Sequence, residues 1–227
     1  MNNNMSAPSF KQFFQPKRIL CLFAHPDDET FGPGGSLAVW RNQGAEVHII
    51  CATRGEAGGS PTARVKEIKA AAKILDLNSV TFLKFKDGKI GNSHLLELEN
   101  AFIPFINTLK PDTIVTFDLN GVSGHLDHIA VASAATQAFK KTKVAKQLLY
   151  FCTSEKLSKL MDHYFIHFPQ GKKREDVDLI VDIAPVWEKR VKAMYAHQSQ
   201  IKDVVQILAR RKLINAPKEE WFMIRAK

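Results

Sequence analysis

His25 and Asp28 stand three residues apart in the run His25-Pro26-Asp27-Asp28-Glu29, and His125 and His128 repeat that spacing in Gly124-His125-Leu126-Asp127-His128. Imidazole nitrogen and carboxylate oxygen are ligands that a catalytic zinc takes, typically three from the protein with one position left for water. Side chains three apart share a helix face, so His125 and His128 turn the same way if a helix begins there. His25 and Asp28 achieve the same on a turn. A carboxylate beside such an ion, but not on it, accepts a proton from a water whose pKa the metal lowers to about 7. Adjacent Asp27 and Asp28 suit that division between base and ligand. The chemistry these residue types allow is metal-assisted hydrolysis.

Taken singly, each motif has a plainer reading. HPDDE can be a polar turn whose Asp caps the next helix, and the two histidines can be incidental at an exposed helix start. Both motifs at strand ends of one chain favour a shared site.

The elements that must position them follow from the apolar patterning. Arg18 to Ala24, Glu46 to Ala52, Val80 to Leu83, Thr113 to Phe117, Gln147 to Cys152 and Leu179 to Ile183 are short and mostly continuous apolar runs, as expected of strands covered on both faces. Helix-compatible spacing falls between them, over Gly35 to Asn42, Ala63 to Leu75, Leu95 to Leu109, Asp127 to Phe139 and Pro185 to His197. This alternation predicts an α/β fold, a Rossmann-like and largely parallel sheet with helices on both faces. Ligands bind such sheets beyond the carboxyl ends of the strands. There the sequence places HPDDE after the first strand, Thr53-Arg54-Gly55-Glu56 after the second, and Asp118 with the second histidine pair after the fourth.

A chain of 227 residues, 45% hydrophobic, suits one core, and a single domain is expected over residues 18–227. Residues 1–17 read as a flexible arm without an apolar signal segment, and 153–178, with its KKRED charge run, as an insertion or lid. Ile19 to Ala24 is far short of the roughly 20 residues of a membrane helix. Cys21, Cys51 and Cys152 are scattered among apolar neighbours, which points to buried thiols and a cytoplasmic setting. The net charge of +9 lacks the aromatic interleaving of single-strand binders, so no specific nucleic acid is expected; it leans towards an acidic substrate. The glycines at 32, 34, 35, 58 and 59 fit no dinucleotide pattern and read as turn residues, and no P-loop, HExxH or CxxC occurs. His48 reads as a satisfied core or edge residue, and His94, His163 and His167 as surface residues.

The segments AHPDDETFGPGGSLA, CATRGEAG, GHLDHIAVASA and AHQSQ, in that order, resemble the PIG-L or LmbE-like family of zinc-dependent N-acetylglucosamine de-N-acetylases, from about Arg18 onward. The resemblance implies a zinc ion on His25, Asp28 and His128, with Asp27 as general base. It implies His125 at the developing oxyanion, its protonation state set by Asp127, and Arg54 on a sugar hydroxyl or an acidic aglycone. His197 is expected near the site, against the substrate or just beneath it. Leu126 stands where family members often carry Pro, which leaves these side chains unchanged. The implied partner is a small amino-sugar substrate, and the family permits a homotrimer or hexamer. An N/O site of this composition also accepts other divalent ions. Two competing readings are an amidase acting on a larger, thiol-conjugate amide, and a non-catalytic carbohydrate- or nucleotide-binding α/β module.

Overall fold

The computed structural model describes residues 15–161 and 168–226. Most of the expected N-terminal arm lies outside these residues, as do His163 and His167. Seven strands form one sheet: β1 (Arg18–Phe23), β2 (Glu46–Cys51), β3 (Ser79–Phe82), β4 (Thr113–Phe117), β5 (Gln147–Cys152), β6 (Leu179–Asp182) and β7 (Glu219–Ala226), in the order β3-β2-β1-β4-β5-β7-β6. β1 to β5 run parallel to one another. β7 is antiparallel to both β5 and β6, with Phe222 opposite Phe151 on one side and Leu179 on the other.

β1 is central, and Ile19, Leu20, Cys21 and Leu22 are fully buried, which is why its sequence is continuously apolar rather than alternating. The helices among the described residues are α1 (Asp28–Phe31), α2 (Gly34–Asn42), α3 (Pro61–Leu75), α4 (Leu95–Leu109), α5 (Gly121–Gly124), α6 (Leu126–Thr142), α7 (Glu155–Met161), α8 (Trp187–Tyr195) and α9 (Ile201–Leu213). One layer is formed by α2, α3 and α8 packed on one another, the other by α4 against α6.

The six expected strands and five expected helices are all present, with ends moved by a residue or a few. β7 and α9 were not expected. The first two residues of β7 are Glu219 and Glu220, a residue type depleted in strands, and α9 has a single fully buried apolar side chain, Val204, too narrow a stripe to stand out. The antiparallel β7 lies between β5 and β6, so the sheet is parallel over its first five strands and mixed at its far edge. Among the described residues no helix is long and apolar enough to cross a membrane.

Chain order decides where ligands can sit. From β1 the chain steps outward to β2 and β3, then returns across β1 to β4 and continues outward to β5. β1 and β4 therefore flank the switch point, where the connections leave in opposite directions and open a crevice.

Candidate metal centre

The loops leaving β1 and β4 meet in that crevice. Three ring nitrogens and carboxylates there have their orientations set from outside. His25 Nε2 lies 3.0 Å from Asp127 Oδ2 and 2.9 Å from Asp87 Oδ1. Both are acceptors, so that nitrogen carries the proton and Nδ1 turns inward. His128 Nδ1 lies 3.1 Å from the Gly121 carbonyl, so it too is the protonated nitrogen, and Nε2 turns inward. Phe117 stacks on the His128 ring at 4.1 Å and 9° and holds its plane. Asp28 Oδ2 accepts the backbone N–H groups of Ala24 at 3.1 Å and His25 at 2.7 Å.

What remains is a convergence of donor atoms. His25 Nδ1 and His128 Nε2 are 3.1 Å apart, Asp28 Oδ1 is 3.2 Å from His128 Nε2, and Asp28 Oδ2 is 3.9 Å from His25 Nδ1. Lone pairs so placed repel unless a cation lies among them. Electrostatics points the same way. Burial works against a charged His25, yet Asp127, Asp87 and Asp28 hold its pKa up to about 10. Burial would likewise raise Asp28, yet His128 and His25 pull it down to about 2. The surroundings favour positive charge at this point, which a metal supplies in exchange for protons.

Two other groupings have ligand atoms that all lie within 4.8 Å of one another: His25 with His125 and His128, and His25 with Asp87 and Asp127. The second fails on chemistry. It faces the protonated nitrogen of His25, and its carboxylates already serve others: Asp127 accepts Gly88 N at 2.8 Å and Ile90 N at 3.1 Å, and Asp87 accepts Ala57 N at 2.9 Å. They are the outer partners that orient a metal-binding imidazole. The first grouping draws in His125, whose Nδ1 accepts the Asp127 N–H at 3.2 Å as the N-cap of α6. That bond leaves the proton of a neutral His125 on Nε2. Burial, reinforced by His128 and His25, lowers the His125 pKa and favours this neutral form. His125 lines the crevice as a hydrogen-bond donor.

Asp27 is arranged differently. Its φ of 111° lies in the left-handed half of backbone space, a conformation that costs roughly 1–3 kcal/mol and persists only when the surroundings impose it. Several contacts do so. Its carbonyl accepts Thr30 N and Phe31 N, both at 2.9 Å, and its N–H donates to Glu29 Oε2 at 3.0 Å. Its carboxylate is held by Arg64 Nη2 at 2.6 Å, and the same guanidinium donates to the Pro26 carbonyl. Burial and the Asp28 charge push the Asp27 pKa up to about 7, against Arg64, His197 and His25. A carboxylate poised there is matched to proton transfer near neutrality.

The Gly-rich run after β2 is explained by the same arginine. A Cβ on Gly55, whose φ is +73°, would come within 2.7 Å of Arg64 Nε, and one on Gly58 would overlap Arg64 Nη1. These glycines leave room for Arg64 beneath Asp27.

Three further expected residues take up different places. Arg54, expected on the substrate, is exposed and absent from the walls of the crevice; the arginine that reaches the site is Arg64. His197, expected against the substrate or just beneath it, is fully buried with Nε2 at 2.6 Å from Glu29 Oε1. It lies beneath Asp27, linked to it by Glu29, whose other oxygen accepts the Asp27 N–H, and by its charge. Although burial disfavours its charged form, Glu29 raises its pKa. Asp127, expected to set the state of His125, gives its carboxylate to His25 and acts on His125 only through its backbone N–H and its charge. Asp87 was missed, although the Asp87-Gly88 turn follows β3 as the other site residues follow their strands. Arg64, in the first turn of α3, carries no local signal.

The crevice continues into a cavity of about 860 Å³. Its walls include Phe31, Phe151 and Trp221, together with residues of α7 and with Phe168 and Lys172 from the expected insertion.

Comparison with known proteins places this geometry. Residues 20–139 match the PIG-L family, described as GlcNAc-PI de-N-acetylase. A 1D-myo-inositol 2-acetamido-2-deoxy-alpha-D-glucopyranoside deacetylase of Rhodococcus erythropolis is 28% identical over 82% of this chain and 81% of its own. A probable N-acetyl-alpha-D-glucosaminyl L-malate deacetylase of Bacillus subtilis is 26% identical over 91% of this chain and 94% of its own. The N,N'-diacetylchitobiose deacetylase of Pyrococcus horikoshii superposes with a TM-score of 0.69 at 20% identity, covering 93% of this chain and 84% of that one.

Proposed function

The chain belongs to the PIG-L family of GlcNAc-PI de-N-acetylases, and from that premise we propose that it hydrolyses the N-acetyl amide of an N-acetylglucosamine conjugate with the help of a zinc ion. The observation that carries the proposal is the convergence of His25 Nδ1, His128 Nε2 and the Asp28 carboxylate in the switch-point crevice, beside a carboxylate whose pKa is raised to about 7. His25, Asp28 and His128 are the residues that would hold the ion. When bound, zinc polarises the amide carbonyl and acidifies water, which is the Lewis-acid chemistry an acetamide needs.

The chain's own residues do the rest. Asp27 accepts the proton of the attacking water and returns it to the departing amine, since the proton is already held close to that nitrogen. His125 donates from Nε2 to the oxygen on which negative charge develops. A fixed donor aimed there is worth roughly 3–4 kcal/mol in comparable sites. Asp127 and Asp87 hold the tautomer of His25, while Arg64 and the Glu29–His197 pair hold Asp27 in its strained turn.

A second reading keeps the reaction and enlarges the amide. A cavity of about 860 Å³ is near the upper end of the ~300–1,000 Å³ usual for small-molecule sites, which leaves room for a bulky aglycone or a longer acyl group. The deciding experiment measures acetate release from N-acetylglucosamine and from its inositol, hydroxy-acid and sugar conjugates, with metal-loaded and chelated protein. Metal-dependent acetate is expected. Bound zinc without acetate from any of them would move the assignment to the larger amide.

A further inference from the structure

Asp27 and Asp28 stand at the start of α1, a single turn of four residues. So short a helix has no stability of its own, because fixing its first turn costs more than its few hydrogen bonds offset. Its geometry must come from outside. The N-terminal end is held by Arg64, which reaches Pro26 and Asp27, and by Glu29 on the Asp27 N–H. At the other end the chain turns through Gly32 and Pro33 into α2, and the last carbonyls of a helix find no partner within it.

Those carbonyls are taken up by Arg190, on α8, whose Nη2 donates to Phe31 at 3.1 Å and to Gly32 at 3.4 Å. Its Nε lies 2.9 Å from Oε1 of Glu220, on β7. Glu220 in turn accepts Gly35 N at 2.9 Å and Ser36 N at 2.6 Å, at the start of α2. The cation therefore faces the carbonyl end of one helix and the anion the N–H end of the next, the sign that each end favours. Arg190 is 2% exposed and Glu220 3%. The turn between the two helices is packed directly on α1: a Cβ on Gly32 would lie 2.8 Å from the Asp28 carbonyl oxygen, and one on Gly34 2.8 Å from that of Glu29. A displacement of the turn is thus passed on to the backbone of α1.

A buried ion pair is a weak source of stability, since both charges must leave water. What this one supplies is direction: its hydrogen bonds join α1, α2, α8 and β7 at one point. We propose that Arg190 and Glu220 are positioning residues for the reaction, which fix α1 through the turn at 31–36 and so set the placement of Asp27 and Asp28. This rests on the deacetylase reading and extends its machinery to two residues that act only through the backbone.

The test uses Arg190→Met combined with Glu220→Gln, which removes both charges together so that neither is left buried alone, and Arg190→Lys, which keeps the charge without the guanidinium fork. Three properties are measured: amide hydrogen exchange at Thr30, Phe31 and Gly32, whose N–H groups close α1; zinc affinity, by competition with a chelator; and kcat and KM for acetate release from N-acetylglucosamine. In the double variant the three α1 amides are expected to exchange about tenfold faster or more, while amides of β1 and β4 keep their rates. Zinc binding weakens, and kcat falls about tenfold to a hundredfold with KM little changed, as misplaced reacting groups imply. Arg190→Lys recovers part of each loss; should the double variant not fold, Arg190→Lys carries the test, with smaller shifts in the same direction expected and none overturning the proposal. A folded double variant with unchanged α1 exchange, zinc affinity and kcat also overturns it. So does exchange that rises equally in α1, β1 and β4 with kcat per folded molecule intact, the pattern of a role in stability alone. If the wild type releases no acetate, the deacetylase reading fails separately, and α1 exchange together with zinc affinity decides the positioning role.

Discussion

The two ends of the cavity are built on different principles. At the metal end, side chains come from loops leaving the central parallel strands β1 and β4, and the groups that face one another are held from behind: His25 by Asp127 and Asp87, His128 by Gly121, Asp27 by Arg64. Elsewhere in the cavity wall, Arg190 and Arg211 come from α8 and α9 beside the antiparallel β7, where Arg190 meets Glu220 and the Phe31 carbonyl and Arg211 donates to the Pro217 carbonyl. The first arrangement suits a reaction, which requires groups held to fractions of an ångström before substrate arrives. The second ties α8 and α9 to β7 and the turn before it, and so shapes the wall of the cavity.

The comparison can be broken most severely at the metal. His128→Ala removes one of the three inward-facing atoms, and both bound metal, measured by elemental analysis after dialysis, and acetate release are expected to be lost. Metal retained at full stoichiometry would take His128 out of the ligand set. Next in size is Asp27→Asn, chosen because Asn tolerates positive φ better than most residues. It is expected to keep its metal and to lose about 10²–10⁴ in kcat; near-normal turnover would mean that another group is the base.

A smaller effect is expected from Arg64→Gln, which removes a charge that lowers the Asp27 pKa. Asp27 acts in its ionised form, so activity is present above its pKa and lost as pH falls through it. Without Arg64 that pKa rises, and the acid limb of the kcat/KM profile should move to higher pH. A limb that stays in place would belong to a different group. Smallest is Arg54→Ala, exposed and outside the cavity, which should change kcat/KM by less than about twofold, as surface substitutions generally do. A loss well beyond that would return Arg54 to the substrate.

Much of the metal end was legible before the structure. Strand ends in a parallel sheet converge by topology, so residues directly after each apolar run are brought together wherever the loops are short. His25, Asp28 and His128 meet for that reason, and the closeness of Asp27 to them follows from its place in the chain. The burial of all three cysteines as free thiols likewise follows from apolar runs buried on both faces. Local pattern also defined the six strands that surround the crevice or extend its sheet.

Other features depend on partners far away in sequence. Arg64 meets Asp27 across 37 positions and His197 meets Glu29 across 168, and nothing in the spacing around an arginine or a histidine names such a partner. Arg54 and Arg64 looked alike as sequence, the first even sitting in the more suggestive motif. The helix phase of α3 and the room left by Gly55 and Gly58 decided which one reached the site. The cavity wall that holds Arg190 and Arg211 depended on α9 and on β7 entering between β5 and β6, a pairing that only the folded sheet specifies. Residue type and near-neighbour spacing determine which chemistry a chain can do, because they act through local backbone geometry. Which carboxylate faces which imidazole, and which guanidinium reaches which carboxylate, is decided by packing between distant elements and exists only once they have met.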